Sequence, residues 1–173
     1  MQQFRCRPFE LRLLDTLMCW FQTEQDVRNW AGPGFRFPFT AASFAKDACL
    51  EPLNCIAMTN RDGELVAFGQ FYNRLNFCHL ARLVVNPEYR GRGLITLLVE
   101  YLCGTGCLHL GVRQASLFVN AHNLPALKVY RRLGFTETDY PDLLPFEGHL
   151  YLTRWQKKAE GDVTFGQDLL QGS

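Results

Sequence analysis

The chain lacks an excess of charge of either sign: 18 Lys+Arg stand against 17 Asp+Glu in 173 residues. A net charge of +1 argues against coating a nucleic acid, although it leaves room for a local basic pocket. No apolar run approaches the roughly 20 residues that span a bilayer. The first residues, Met1-Gln-Gln-Phe-Arg, lack the basic-then-apolar layout of a secretion signal. CxxC is also missing. The seven cysteines are odd in number, match no zinc ribbon or finger spacing and have no clustered histidines nearby. They are expected to be buried reduced thiols, with no metal site and a cytoplasmic setting. There is no internal repeat.

What is present is ordinary globular composition, 47% hydrophobic and 20% charged. A chain this long buries roughly 70% of its unfolded surface without a staple. Residues 1–156 read as one domain and 157–173 as a polar tail. Residues 2–7 suggest an opening strand, and 9–30 one or two helices. A Gly/Pro/Phe break then leads to a helix capped by Thr40. From Leu53 the period changes to strands at 53–59, 65–72 and 77–85, joined by Asn-Arg-Asp-Gly and Asn73–Asn76 turns, an antiparallel meander. A helix opens at Leu94 and is expected to end at Gly104 and Gly106. A strand at 115–119, a helix capped by Asn123 and closed by Gly134, and a strand at 151–155 complete an α/β (α+β) domain with a mixed sheet.

Residues 84–98 carry the strongest signal. An apolar strand runs through Arg90-Gly91-Arg92-Gly93 into the Leu94-Ile95-Thr96 helix start. Unpaired backbone N–H groups, the helix dipole and two arginines make an anion site suited to pyrophosphate, with the Thr96 hydroxyl in reach. A P-loop would need Gly-Lys-Ser/Thr here, and a Rossmann turn a third glycine after a parallel strand.

Arg90, Gly93 and Ile95 resemble the Arg/Gln-x-x-Gly-x-Gly/Ala loop of the GNAT superfamily of acyl-CoA N-acyltransferases, with Ile95 where Gly or Ala is usual. Downstream, Asn123, Ala126, Tyr130, Gly134 and Phe135 resemble its second signature in order and spacing. The likeness covers roughly residues 50–155. It implies a largely antiparallel central sheet, splayed between two central strands and flanked by helices. It also implies acetyl-CoA as cofactor and direct acetyl transfer to a primary amine of a small molecule or protein, with room for a homodimer.

By the same resemblance, Leu83, Val84 and Val85 hold the oxyanion and Tyr130 is the general acid. Arg90 to Thr96, with Asn123 and Ala126, contact CoA. Tyr130 also fits an apolar helix face, and Asn123 a simple helix cap. His79 falls where several members carry a catalytic Glu; it reads equally as a structural histidine. Glu88, His122 or a water wire are other bases. The acceptor site is expected near Trp30, Phe35, Phe37 and Phe39 and residues 140–149, although these aromatics read equally as core plugs, Phe37 and Phe39 above all. The Trp30–Phe39 stretch resembles one found in some bacterial members. No acidic cluster marks a polyamine pocket, Asp139, Asp142 and Glu147 being the nearest acids. A non-catalytic acyl-CoA-binding module is the alternative.

Overall fold

The structure, a computed structural model, describes residues 4–156; the expected 157–173 tail lies outside them. The described chain is a seven-stranded sheet in the order β1-β2-β3-β4-β5-β7-β6. Its strands are β1 Arg5–Pro8, β2 Asn54–Thr59, β3 Leu65–Arg74, β4 Phe77–Val85, β5 Gln114–Asn120, β6 Thr136–Glu137 and β7 His149–Trp155. Its helices are α1 Leu14–Met18, α2 Glu24–Ala31, α3 Ala41–Asp47, α4 Leu94–Leu110 and α5 Leu124–Arg132.

Local chemistry places the ends of these elements. Thr23 and Asp26 form a reciprocal capping box at the start of α2, and Thr40 and Ser43 another at α3. Asn60 closes the β2–β3 turn by accepting from the backbone N–H groups of Asp62 and Glu64. Leu75 and Asn76, both at positive φ, make the two-residue β3–β4 turn.

Helix α4 does not stop where glycine content suggested. It runs through Gly104 and Gly106 and ends at Gly111, whose φ of 66° suits a left-handed cap. Gly106 instead permits close packing: a Cβ there would lie 2.5 Å from Cys78 Sγ and 3.0 Å from Phe71 Cδ2. The glycine thus serves helix-on-sheet contact and does not break the helix.

All neighbouring strands are antiparallel except β4 and β5. Those two pair only at Cys78–Ala115, His79–Ser116 and Leu80–Leu117. Beyond Leu80 and Leu117 they have no further pairing, and the sheet splays as expected. One sheet face packs on α4 and α5 through Phe71, Leu80, Leu98, Leu102, Leu117 and Leu127. On the other face, α1–α3 cover Ala57, Leu65 and Phe68 with Leu17, Val27 and Phe44. Paired residues on neighbouring strands point to the same face. Tyr72, His79, Ser116, Phe118 and Tyr151 therefore share the face opposite α4, beside the helices α1–α3.

Candidate functional site

The splay opens next to a β-bulge. Phe68 pairs with Val84 but Gln70 with Ala81, so Arg82 and Leu83 together oppose Gly69. Arg82 has a φ of 49°. A Cβ on Gly69 would lie 2.8 Å from both Leu83 Cδ2 and Leu102 Cδ1, so only glycine lets the bulge close over α4. The Arg82 side chain is tied on the far side, donating to Gln70 Oε1 at 2.9 Å and to the Asp47 carbonyl at 3.2 Å. The Trp30 indole N–H donates to the Arg82 carbonyl at 2.8 Å and fastens α2 to the same bulge.

Two cavities meet at this splay. One, of about 450 Å³, runs along Leu83, Val84 and Val85 to Arg90, Gly91, Gly93, Leu94 and Ile95. The other, of about 260 Å³, lies over the polar sheet face beneath residues 145–149. Asn29, Trp30, Leu83, Asn123, Ala126 and Tyr130 border both. Of the sequence-predicted residues, Leu83, Asn123, Ala126 and Tyr130 are therefore brought together at the junction, while Val84 and Val85 line the first cavity alone.

The glycine turn has the shape of an anion cradle. Gly91 and Gly93 both have a φ of 75°, with nothing within 4 Å of where a Cβ would stand. Gly93 is the N-cap of α4, whose first N–H groups face outward with the positive end of the dipole. This open backbone suits a pyrophosphate such as that of CoA. Arg90 lines the cavity with Asp26, whose carboxyl is held below its ordinary value, first by hydrogen bonding from Thr23 and also by Arg90. Arg92 turns away: it donates to the Glu88 carbonyl at 3.2 Å, and its guanidinium lies 4.8 Å over the Tyr89 ring. Thr96 and Arg92 are outside the cavity lining, whereas Ile95 is within it and also packs on the core.

Asn123 accepts from the Ala126 N–H at 3.2 Å and so caps α5, with its side chain at the junction. Two turns further on, Tyr130 is buried, and burial alone pushes its phenol up to about 12. It holds its proton throughout the neutral range.

His79 lies in the second cavity, buried between β4 and β5, with Nδ1 2.9 Å from Ser116 Oγ. Burial, helped by the Arg74 charge, brings its imidazole down to about 3. That environment suits a neutral hydrogen-bonding ring and not a proton acceptor. The exposed His122 and Glu88 line neither cavity.

The aromatic segment divides between cavity wall and core. Trp30 does border both cavities, stacked on Phe21 at 4.4 Å and on Phe44 at 5.6 Å. Phe35 and Phe39 belong to the apolar layer under α1–α3, and Phe37 packs edge-on against Phe39. From the 140–149 region, Pro145, Phe146 and His149 line the second cavity. Phe146 reaches the end of α2, where a Cβ on Gly32 would lie 3.0 Å from its ring.

Sequence reasoning missed Tyr72 and Arg74, which line the second cavity from β3. A partial signal was there: Gln70, Tyr72 and Arg74 fall at alternate positions of β3 and so share one face, although Asn73 blurs the pattern.

Residues 24–135, more than half of the chain, match the acetyltransferase (GNAT) family. The chain belongs to this family. Spermidine N(1)-acetyltransferase of Escherichia coli K12 is 32% identical over 73 residues, 42% of this chain and 37% of that protein. The [ribosomal protein bS18]-alanine N-acetyltransferase of the same strain is 31% identical over 101 residues, 58% of this chain and 66% of that protein. In both cases the match spans less than two thirds of the relative. The crystal structure of the Escherichia coli ribosomal-protein-S18-alanine N-acetyltransferase shares the fold with a TM-score of 0.63 at 23% identity, over 96% of this chain and 99% of that one. Spermidine N-acetyltransferase from Vibrio cholerae, solved with CoA and spermine, gives 0.68 at 14% identity, over 89% and 96%. Among the described residues of this GNAT chain no helix is long and apolar enough to cross a membrane.

Proposed function

We propose that the chain is an acetyl-CoA-dependent N-acetyltransferase acting on a primary amine, with the two cavities as donor and acceptor sites. The observation that carries this reading is their meeting at the splay, where a buried protonated Tyr130 stands beside Leu83 and Asn123. A binding module alone would need only the glycine cradle. The second, differently lined cavity behind the junction favours transfer.

Acetyl-CoA supplies the acetyl group as a thioester. Arg90, the Gly91–Ile95 backbone and the α4 N-terminus hold its pyrophosphate, and Asn123 and Ala126 its pantetheine arm. The bulge turns β4 so that those backbone N–H groups of the Leu83–Val85 stretch that point away from β3 would face the carbonyl that gains negative charge. Tyr130 holds a proton at its phenol oxygen and gives it to the departing sulfur, recovering it from solvent. The amine proton leaves to solvent through the mouth of the second cavity. His79, kept neutral by burial, orients the acceptor through its ring. Neither Arg74 nor the neutral His79 takes a proton, so the acceptor enters as the free amine and its nitrogen loses one further proton to solvent as the amide forms.

A thermal-shift comparison of CoA, acetyl-CoA, NAD and ATP tests the donor site. A ligand at 100 Kd adds about 2.7 kcal/mol, a shift of several degrees for a chain of this size. CoA and acetyl-CoA should shift the transition and NAD should not; no shift with CoA ends the proposal. Acetyl-CoA-dependent modification of any amine by the parent, absent from Tyr130→Phe, distinguishes an enzyme from a binding module.

A further inference from the structure

The second cavity has a distinct charge. Arg28, Arg74 and Arg82 line it, and no aspartate or glutamate does. Two of the three guanidiniums are accounted for. Arg28 sits at the exposed rim and pairs with Glu24 at 2.9 Å. Arg82 is spent on Gln70 and the Asp47 carbonyl.

Arg74 is different. It is half-buried, and Nε and Nη2 donate to the Tyr140 phenol at 3.0 and 2.7 Å while Nη1 donates to the Tyr72 phenol at 3.2 Å. Its planar head lies 5.0 Å from the Phe118 ring and 5.4 Å from the Tyr140 ring. All of these partners are neutral. Among the described residues no carboxylate pairs with it. Three of the five N–H donors of a guanidinium are thus used to fix its plane, and the rest of the fork keeps its charge. A half-buried cation held rigid by neutral groups is a receptor for a planar anion, which it binds in two-pronged fashion. The positive field also disfavours a bound ammonium, so a second cationic amine on the acceptor would be repelled.

Resting on the acetyltransferase reading, we infer that the acceptor is an amine that itself carries a carboxylate, the size of a single amino acid with an apolar side chain, its carboxylate seated on Arg74. The carboxylate neutralises the cavity. The amine is left towards the Tyr130 junction, and Phe118 and Phe146 receive the apolar group. A volume of about 260 Å³ holds a molecule of this size, and the three arginines with no facing carboxylate, not the volume, set it against a polyamine. The amine proton leaves to solvent, the N–C bond forms as the C–S bond breaks, and the sulfur takes the phenol proton.

The full chain with acetyl-CoA is assayed on leucine, leucinamide, 3-methylbutylamine, leucyl-alaninamide and spermidine, compared at equal free-base concentration. Leucine is expected to give a kcat/KM at least about tenfold above each of the others, the scale of one charged hydrogen-bonded pair. Arg74→Gln should remove that preference while leaving the thermal shift with CoA unchanged. A preference for spermidine, a neutral amine or the dipeptide amide overturns the inference, as does a leucine preference that survives Arg74→Gln. Calorimetry on the CoA-saturated protein gives a second reading without turnover: N-acetylleucine should bind and N-acetyl-3-methylbutylamine should not, and equal or reversed binding overturns it. Absence of a CoA shift would instead sink the underlying acetyltransferase proposal.

Discussion

The indole N–H of Trp30 donates to the main-chain carbonyl of Arg82 at 2.8 Å, linking the second helix to a backbone bulge across 52 residues of sequence. The bulge residue has a positive φ and no glycine's freedom, so its shape depends on such outside support. Trp30→Phe keeps the stacking surface but removes the donor. We expect about 1 kcal/mol lost in urea denaturation and a larger fractional loss in kcat than in CoA affinity, because the proposed oxyanion donors follow the bulge.

Tyr130 carries the proton for the leaving sulfur in the proposed reaction. Tyr130→Phe should lower kcat by roughly 100-fold with CoA affinity within a factor of about 3 of the parent. Kinetics at saturating acetyl-CoA, paired with calorimetric CoA binding, check both halves.

The cradle for pyrophosphate depends on Gly93 at a φ of 75°. Gly93→Val places a β-branched side chain in a left-handed conformation, a strain of about 1–2 kcal/mol. It also fills the open space above the backbone. The CoA thermal shift should disappear, and circular dichroism should retain the parent spectrum.

His79 makes stability fall with acid. Its folded value of about 3 lies below the ordinary imidazole value. The unfolded chain therefore takes up the proton first, and stability present above about pH 6.5 is lost as pH falls towards 3. The loss is about 2 kcal/mol at pH 5. His79→Gln, which still reaches the Ser116 hydroxyl, should flatten this limb. Urea melts at pH 7 and pH 5 measure the difference between the two proteins; an unchanged difference would contradict the assignment.

Two glycines of α4 should respond oppositely to alanine. Around Gly104 only Gln156 comes near a Cβ, at 3.7 Å, so alanine gains helix propensity of up to about 1 kcal/mol. At Gly106 the same methyl would meet Cys78 Sγ at 2.5 Å inside the core and should cost roughly 1–3 kcal/mol. Paired thermal melts decide it.

These two glycines also show where the sequence was legible and where it was not. Strands β2 to β4 could be read because their turns carry their own chemistry, such as Asn60 and Asp62-Gly63. The glycine turn into α4 and the Asn123 cap could be read because local backbone needs and a specific spacing coincide there. Gly104 and Gly106 misled because glycine lowers helix propensity locally, whereas the helix is held by packing on β3 and β4. β6, two residues long, left no periodic trace. Phe35 and Phe39 could not be told from pocket residues, because an apolar ring looks the same in a core and in a cavity wall. Arg74 was hidden for the opposite reason. Its role comes from Tyr72, Phe118 and Tyr140, which the fold collects from three separate segments.

Only three residue pairs join β4 to β5, and the hydrogen bond from His79 to Ser116 across that seam closes 37 residues of chain. The β2–β3 and β3–β4 hairpins close over far shorter stretches. Folding should therefore begin in the meander and reach this seam later, since distant pairing bears a loop-closure entropy before any contact rewards it. In the finished protein this seam has the fewest residue pairs of any inside the sheet, the two edge strands apart. Amide exchange should be quickest there in the free chain and slow markedly once a molecule spans the gap, so that one ligand turns two loosely joined halves into a single cooperative unit.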